Sequence, residues 1–167
     1  MSGKEGMIRI LFICHGNICR SPMFEFVMRD MVEKRGLQDK FEIESAATST
    51  EELYNPVHSG TQAELRKHNI GGTPYTDFRK KRARQLKRSD YDYYDYLICA
   101  ESYNIQNAVR ITGEDKKKKI KLLLDFTDRR GCDVDDPWYS RRFDETYRDT
   151  VEGCKGLLEY LEREGKI

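Results

Sequence analysis

Long apolar runs are missing from this chain of 167 residues. The first apolar run, residues 8–13, is too short for a membrane span or for the core of a signal peptide with its cleavage site. The residues before it are mostly polar. We therefore expect a cytoplasmic protein that has no membrane partner.

A charge excess of either sign is also missing. Thirty Lys and Arg residues face 29 Asp and Glu residues, and the formal net charge is +1. No global field therefore favours nucleic acid or a membrane surface. Basic residues cluster at 79–88 and 116–119, but such runs are usually solvated faces. A non-enzymatic phosphate- or nucleic-acid-binding module is thus the less favoured alternative, and we expect no nucleic-acid partner.

Paired cysteines are a third absence. The chain has five cysteines, an odd number, and none of them forms a C-x-x-C pair. This pattern argues against a secreted disulfide framework and against a structural zinc site. We expect reduced thiols and no bound metal.

Internal repeats and Gly/Ser linkers are likewise missing, so the sequence has no internal domain boundary. The length is typical of a single domain with its own core. We therefore assign residues 1–167 to one domain.

Apolar runs alternate with helical patterns along this domain. The runs predict strands over residues 7–13, 41–45, 94–100 and 120–124. Apolar spacing predicts helices from residue 21 onward and over residues 58–69, 102–111 and 142–163. The alternation predicts an α/β fold, with a parallel sheet and helices on both of its faces.

The loop between the first strand and the first helix has the strongest functional pattern. It reads Cys14, His15, Gly16, Asn17, Ile18, Cys19, Arg20, Ser21. A Cys and an Arg at this spacing often occur together by chance. However, ligands bind where parallel strands end, and backbone N–H groups at a helix start form an anion cradle. Gly16 and Asn17 tolerate the positive φ that a curled loop needs.

Two side chains of the loop suit phosphoryl transfer. Arg20 has a planar fork of donors that matches two phosphoryl oxygens. Cys14 would lie near inward amides, a helix N-terminus and Arg20, which together favour a nucleophilic thiolate. Ser21 would either donate a hydrogen bond to this sulfur or cap the helix, and both roles stay open. The competing interpretation is a buried structural Cys with a surface Arg.

This loop, together with Pro22, resembles the signature of the low-molecular-weight protein tyrosine phosphatases. Residues 45–49, 83–85 and 136–139 also match this family in order. The resemblance implies a doubly wound fold with a four-stranded parallel sheet, no cofactor and a cysteinyl-phosphate intermediate. The implied partners are tyrosine-phosphorylated proteins, with inorganic phosphate or similar oxyanions at the active site. We expect a monomer, and weak self-association stays open.

The resemblance also supplies an acid for the leaving group. Expulsion of a phenolate needs a proton donor, and Asp136 matches the family's general acid. Pro137 favours an extended conformation at Asp136. Asp133 and Asp135 are the nearby competitors for this role.

Several further residues are expected to shape the site. Trp138 and Tyr139 should wall a slot deep enough for phosphotyrosine but not for shorter phosphates. Asn17 and Ser45 look like the family's side-chain pair that supports the loop. The histidine that often completes this support is either replaced near Lys81 or displaced by the longer segment 71–81, and both alternatives stay open.

The remaining loop positions are less specific. Cys19 is expected either to form a reversible disulfide with Cys14 or to be a small packed residue. His15 is expected to be a wall residue without a catalytic role, and the alternative is that it tunes substrate choice or charge. Residues 51–54 form a candidate rim loop whose specificity the sequence does not reveal.

Two relatives on the same scaffold are alternatives to a tyrosine phosphatase. Protein arginine phosphatases resemble this loop but have Thr at the position of Ile18. Arsenate reductases need a distant pair of resolving cysteines, which is not evident here. A separate hypothesis gives the basic run at 79–88 a role in attracting acidic phosphoproteins.

Overall fold

Four parallel strands form the sheet in a computed structural model, which describes residues 6–167. Their order across the sheet is β2-β1-β3-β4, and each neighbouring pair is parallel. The bounds are β1 (Ile8–Cys14), β2 (Phe41–Ala47), β3 (Tyr96–Cys99) and β4 (Ile120–Leu122). The doubly wound, four-stranded parallel sheet predicted from the sequence is confirmed.

The α-helices alternate with these strands. They are α1 (Arg20–Lys34), α2 (Ser59–Lys67), α3 (Asp90–Tyr93), α4 (Ser102–Thr112), α5 (Pro137–Ser140) and α6 (Phe143–Arg163). Two 3-10 turns, Gln38–Lys40 and Leu123–Phe126, precede β2 and follow β4. Within residues 6–167, no helix combines the length and the apolar character that crossing a membrane requires.

β1 is one of the two inner strands, and both of its faces are buried. Ile10 and Phe12 pack into a cluster with residues of α1 and α6. Leu11 and Ile13 pack into a second cluster with residues of α4 and β4. Because alternate residues of a strand point to opposite faces, an unbroken apolar run is what a strand between two helical layers requires.

Two strands are shorter than predicted. β4 ends at Leu122 rather than at residue 124, since the Asp125 carboxylate accepts a hydrogen bond from the Leu122 N–H at 3.0 Å and the chain turns there. Leu123 and Leu124 stay buried, so their apolar character does not distinguish a strand from a packed turn. β3 begins at Tyr96 rather than at residue 94, because residues 90–93 form α3 and Tyr94 ends it.

Two four-residue helices, α3 and α5, were not predicted from the sequence. Each is a single turn, too short for helical periodicity to be visible. In α5, the Asp136 carboxylate caps the Trp138 N–H at 3.0 Å, and Pro137 occupies the first helical position.

α6 packs closely against the 3-10 turn that follows β4. A Cβ placed on Gly156 would lie 2.0 Å from the carbonyl oxygen of Phe126. That distance is far inside van der Waals contact, and a backbone atom cannot move aside by changing rotamer. The absence of a side chain at Gly156 therefore sets how closely α6 approaches the sheet.

We predict that Gly156→Ala lowers the free energy of unfolding by about 2 kcal/mol, because overpacking outweighs the gain in helix propensity. Urea unfolding followed by circular dichroism measures the change. Gly72→Ala is the control, since a Cβ there would meet no atom within 4 Å. Equal stability of the two variants would contradict the packing argument.

Candidate active site

The loop of residues 15–19 links the end of β1 to the start of α1 at the carboxyl edge of the sheet. Neighbouring segments occupy several of its carbonyls. The N–H groups of Thr48 and Ser49 donate to the carbonyls of Cys14 and His15, each at 3.0 Å, and the His58 N–H donates to the Ile18 carbonyl at 2.8 Å. A peptide group that directs its carbonyl outward directs its N–H the other way. The loop therefore aims amides at its own centre, as an anion cradle requires.

Asn17 and Gly16 fit this loop for different reasons. Asn17 has φ of 61°, the left-handed conformation expected from the sequence. Gly16 does not adopt a positive φ, so that part of the expectation is wrong. A Cβ on Gly16 would instead lie 3.3 Å from Cγ of Glu52, so close packing against the rim explains the glycine.

Three donors converge on the sulfur of Cys14. The Ser21 hydroxyl lies 3.0 Å from Sγ, and the N–H groups of Asn17 and Ser21 lie at 3.3 and 3.4 Å. Ser21 Oγ already accepts a hydrogen bond from Asn17 Nδ2 at 2.8 Å, which leaves its O–H to donate to the sulfur. Ser21 does not cap α1, because the helix begins at Arg20 without a side-chain cap. Converging donors stabilise a negatively charged sulfur.

A buried polar network supports the loop from the side of β2. Asn17 Nδ2 donates to Ser45 Oγ at 2.9 Å, as the resemblance implied. Ser45 Oγ donates in turn to Glu25 Oε1 at 2.6 Å. Lys81 Nζ donates to the Ser45 carbonyl at 2.8 Å and lies 3.7 Å from Glu25. The sequence pointed to Lys81 but missed Glu25, a charged residue inside a helix that has no local signal of its role.

Arg20 is buried, with 2% of its surface exposed. Its Nη1 donates to Glu101 at 2.7 Å and to the Val134 carbonyl at 2.9 Å, while Nη2 lies 3.5 Å from Asp136. Burial acts to lower the pKa of Arg20, but the negative charges of Cys14, Asp136 and Glu101 outweigh it and raise the pKa. Sequence reasoning missed Glu101. Its position directly after β3, at the edge where ligands bind, was the available signal.

A cavity of about 120 Å³ opens above the cradle. Its walls are formed by Cys14, His15, Gly16, Ile18, Cys19, Arg20, Glu51, Glu52, Asp136, Trp138 and Tyr139. A wider groove of about 860 Å³ lies between α6 and the segment after β4, but its lining includes no cysteine. The small cavity is therefore the one that contains the candidate nucleophile.

The structure separates the three candidate acids. Asp136 has extended backbone angles, φ of −82° and ψ of 111°, and its side chain lines the cavity. Asp133 accepts hydrogen bonds from the N–H and hydroxyl of Ser102, at 2.9 and 3.1 Å. Asp135 is exposed and does not line the cavity. Of the three, only Asp136 lines the cavity that contains Cys14.

The two expected wall aromatics are exposed at the mouth. Trp138 is 44% exposed and Tyr139 is 82% exposed. The His58 ring contacts Trp138 edge-on, with centroids 5.6 Å apart, and stacks on Phe143. Burial, assisted by the charge of Arg141, lowers the pKa of His58. A neutral imidazole there packs as an aromatic spacer behind Trp138.

All five cysteines are free thiols in the structure. Burial, with a smaller contribution from the charge of Cys14, raises the pKa of Cys19 to about 12. Burial likewise raises the pKa of Cys99 and of Cys154. Buried thiols of this kind are poor nucleophiles. Cys19 packs beside Ile18 and Ala83, and its reversible pairing with Cys14 stays a prediction.

The chain is similar to proteins of one known family. A family model described as low molecular weight phosphotyrosine protein phosphatase matches residues 9–167. The chain belongs to this family. The match confirms the resemblance drawn from the loop, and the matched range contains every site residue predicted from the sequence.

Individual members of the phosphatase family are similar to the chain over nearly its whole length. Low molecular weight protein-tyrosine-phosphatase YfkJ of Bacillus subtilis is 38% identical, covering 96% of this chain and all of its own. The low molecular weight phosphotyrosine protein phosphatase of Gallus gallus is 35% identical, covering 90% and 93%. The crystal structure of YfkJ superposes with a TM-score of 0.88 at 37% identity, covering 97% of this chain and 99% of YfkJ.

Ser21→Ala should slow alkylation of Cys14 by iodoacetamide near neutral pH about tenfold or more. A hydrogen bond to a charged group contributes about 1.5–3 kcal/mol, and only the thiolate reacts. Mass spectrometry of the peptide that contains Cys14 gives the rate, with exposed Cys132 as an internal reference. Ser89→Ala, a change at an exposed serine, is the control. An unchanged rate in Ser21→Ala would show that the Ser21 hydroxyl does not stabilise the Cys14 thiolate.

Proposed function

We propose that the chain is a protein tyrosine phosphatase that hydrolyses phosphotyrosine and small aryl phosphates through a phosphate ester of Cys14. One observation carries the proposal. The thiol of Cys14 lies at the base of an amide cradle, in the same cavity as the Asp136 carboxyl group and the Arg20 guanidinium. A nucleophile, an anion site and an acid are thus together, as phosphate ester cleavage requires.

The first step forms the phosphoenzyme. The Cys14 thiolate attacks phosphorus, a sulfur–phosphorus bond forms, and the bond to the phenolic oxygen breaks. Asp136 gives its proton to that oxygen, so a neutral phenol leaves. The amides of residues 15–19 and the guanidinium of Arg20 hold the phosphoryl oxygens, whose charge they match throughout the transfer.

The second step releases phosphate. Asp136, now a carboxylate, takes a proton from the attacking water, and the sulfur–phosphorus bond breaks. Cys14 leaves as a thiolate, which the Ser21 hydroxyl at 3.0 Å stabilises. Glu101 holds one end of the Arg20 guanidinium at 2.7 Å, so the phosphate need displace only the longer contact to Asp136.

The shape of the cavity supports phosphotyrosine as the substrate. The thiol lies at the base of the cavity, with Trp138 and Tyr139 at its mouth. An aromatic ring carries phosphate to such a depth and packs against aromatic walls, whereas a phosphoserine side chain is shorter. His15 and Ile18 complete the wall, and Asn17, Ser45 and Cys19 support the loop.

The chemistry of the site also bears on domain organisation, oligomeric state and cellular compartment. We propose that residues 1–167 form one phosphatase domain that acts as a monomer, because a single chain supplies the nucleophile, the arginine and the acid. A reducing compartment such as the cytoplasm suits a catalytic thiolate, which oxidants inactivate.

Cys14→Ser should abolish hydrolysis of p-nitrophenyl phosphate while inorganic phosphate still binds, because the cradle remains and the nucleophile does not. Steady-state kinetics and isothermal titration calorimetry measure the two properties. Cys132→Ser, at the exposed cysteine, is the control and should keep full activity. Turnover by Cys14→Ser at the rate of the control would rule out the thiolate mechanism.

Asp136→Asn should slow hydrolysis of phenyl phosphate about 100-fold or more, and that of p-nitrophenyl phosphate much less, because only the poorer leaving group needs a proton. Asp135→Asn is the matched control and should affect neither substrate, since Asp135 does not line the cavity. An equal loss on both substrates in Asp136→Asn would place Asp136 outside proton transfer. Phosphoarginine tested in parallel should be the poorer substrate.

A further inference from the structure

Two carboxylates line the cavity beside the phosphate cradle. Glu51 and Glu52 both line it, and they belong to the rim loop of residues 51–54 predicted from the sequence. The Glu51 side chain is 68% exposed. These groups are absent from the reaction steps above, so their chemistry is still unassigned.

The rim loop is fixed to the phosphate cradle. The Ser49 N–H and hydroxyl both donate to the His15 carbonyl, at 3.0 and 2.9 Å. Glu51 Oε2 lies 2.6 Å from His15 Nε2. At the far end of the loop, the Tyr54 N–H donates to the Ala83 carbonyl at 2.9 Å. The backbone of the rim loop is therefore held in place beside the cradle, and His15 also contacts the Glu51 carboxylate.

The charge at the mouth is not neutralised by its own lining. Asn55, a neutral amide, holds Glu52 at 2.6 Å, and His15 is the partner of Glu51. Arg20 is the one Lys or Arg among the lining residues, and Glu101 and Asp136 already contact its guanidinium. Arg141, whose guanidinium lies 6.0 Å from the centre of the Trp138 ring, is a basic group near α5. Negative charge therefore remains on the rim loop itself, where Glu51 and Glu52 lie.

Three basic residues of the run at 79–88 have partners outside the cavity. Arg79 pairs with Asp77 at 2.9 Å, and Arg84 pairs with Asp90 at 3.0 Å. Lys81 is committed to the Ser45 carbonyl. None of the residues in this run lines the cavity. The hypothesis that the run attracts acidic phosphoproteins therefore lacks support at the site itself.

We propose that Glu51 and Glu52 make the enzyme selective for phosphotyrosine flanked by Arg or Lys, and that they disfavour acidic neighbours. The inference rests on the proposed phosphatase function. Once the phosphotyrosine ring occupies the slot, its neighbours in the peptide lie over the rim, where opposite charges attract and like charges repel. Because the carboxylates are solvated, each charged neighbour changes the specificity constant about two- to fivefold.

The test compares three synthetic phosphotyrosine peptides that differ only in the residues on each side of the phosphotyrosine: Arg, Ala or Glu. We expect kcat/KM to fall in that order at low ionic strength, with an Arg-to-Glu ratio of about 16-fold or more, because both neighbours differ and each changes it at least about twofold from Ala in either direction. Salt at 0.5 M should reduce the ratio toward one, since it screens exposed charges.

Variants of Glu51 test whether the Arg-to-Glu ratio of kcat/KM depends on the rim loop. Glu51→Gln should lower the Arg-to-Glu ratio at least twofold, and Glu51→Lys should bring it to one or below. Glu159→Gln is the matched control, because it removes one exposed carboxylate on α6 outside the cavity. Its ratio should equal that of the unaltered chain.

The outcomes separate this inference from the function on which it rests. Hydrolysis of p-nitrophenyl phosphate that is lost in Cys14→Ser establishes the phosphatase independently of peptide sequence. If that hydrolysis occurs and the ratio is near one or favours Glu, the selectivity proposal is overturned and the phosphatase stands. The same holds if Glu51→Lys keeps the full ratio. If the unaltered chain hydrolyses no aryl phosphate, both proposals fail.

Discussion

The side chain of Asn17 is the interaction on which the site depends. Its Nδ2 donates to Ser21 and Ser45, and its Oδ1 accepts the Arg84 N–H at 3.2 Å. One buried amide thus joins the loop, β2 and the segment before α3, with both donors and its acceptor in use. Asn also tolerates the left-handed backbone at this point, which most residues do not. Glycine would keep the backbone conformation and lose all three bonds.

Arg20 illustrates a second constraint, the burial of a charge that the chemistry needs. An isolated buried guanidinium would be costly, and removal of one partner from a buried pair is strongly destabilising. Glu101 and the Val134 carbonyl satisfy one nitrogen, while the contact to Asp136 is longer. The arginine is therefore held firmly on the side away from substrate and loosely on the side where phosphate arrives.

Local patterns of the sequence predicted most of the fold. The strand β1, the loop after it and the long helices are encoded by contiguous residues, and each was found. The end of β4 was missed because a local side-chain hydrogen bond decides it. Leu123 and Leu124 are as apolar as strand residues, yet the Asp125 carboxylate accepts the Leu122 N–H and the strand ends at Leu122.

In the candidate site, the residues that belong to short sequence motifs were predictable, and those that act through distant partners were not. Cys14, Arg20, Ser21 and Ser45 lie together as expected, and so does Asp136, because short motifs carry them. Glu25 and Glu101 escaped notice, since their roles depend on partners 20 and 81 residues distant in sequence. A single Glu in a helix or after a strand gives the same sequence pattern whether its side chain supports a site or faces solvent.

The bonds from Ser49 to the His15 carbonyl have an evolutionary consequence. The rim loop is bonded to the catalytic loop through Ser49. Insertions or deletions near residue 49 therefore alter the phosphate cradle as well as the choice of substrate. Another part of the wall, Tyr139, is 82% exposed. A substitution at Tyr139 therefore changes the mouth of the cavity and leaves in place the bonds that hold the cradle.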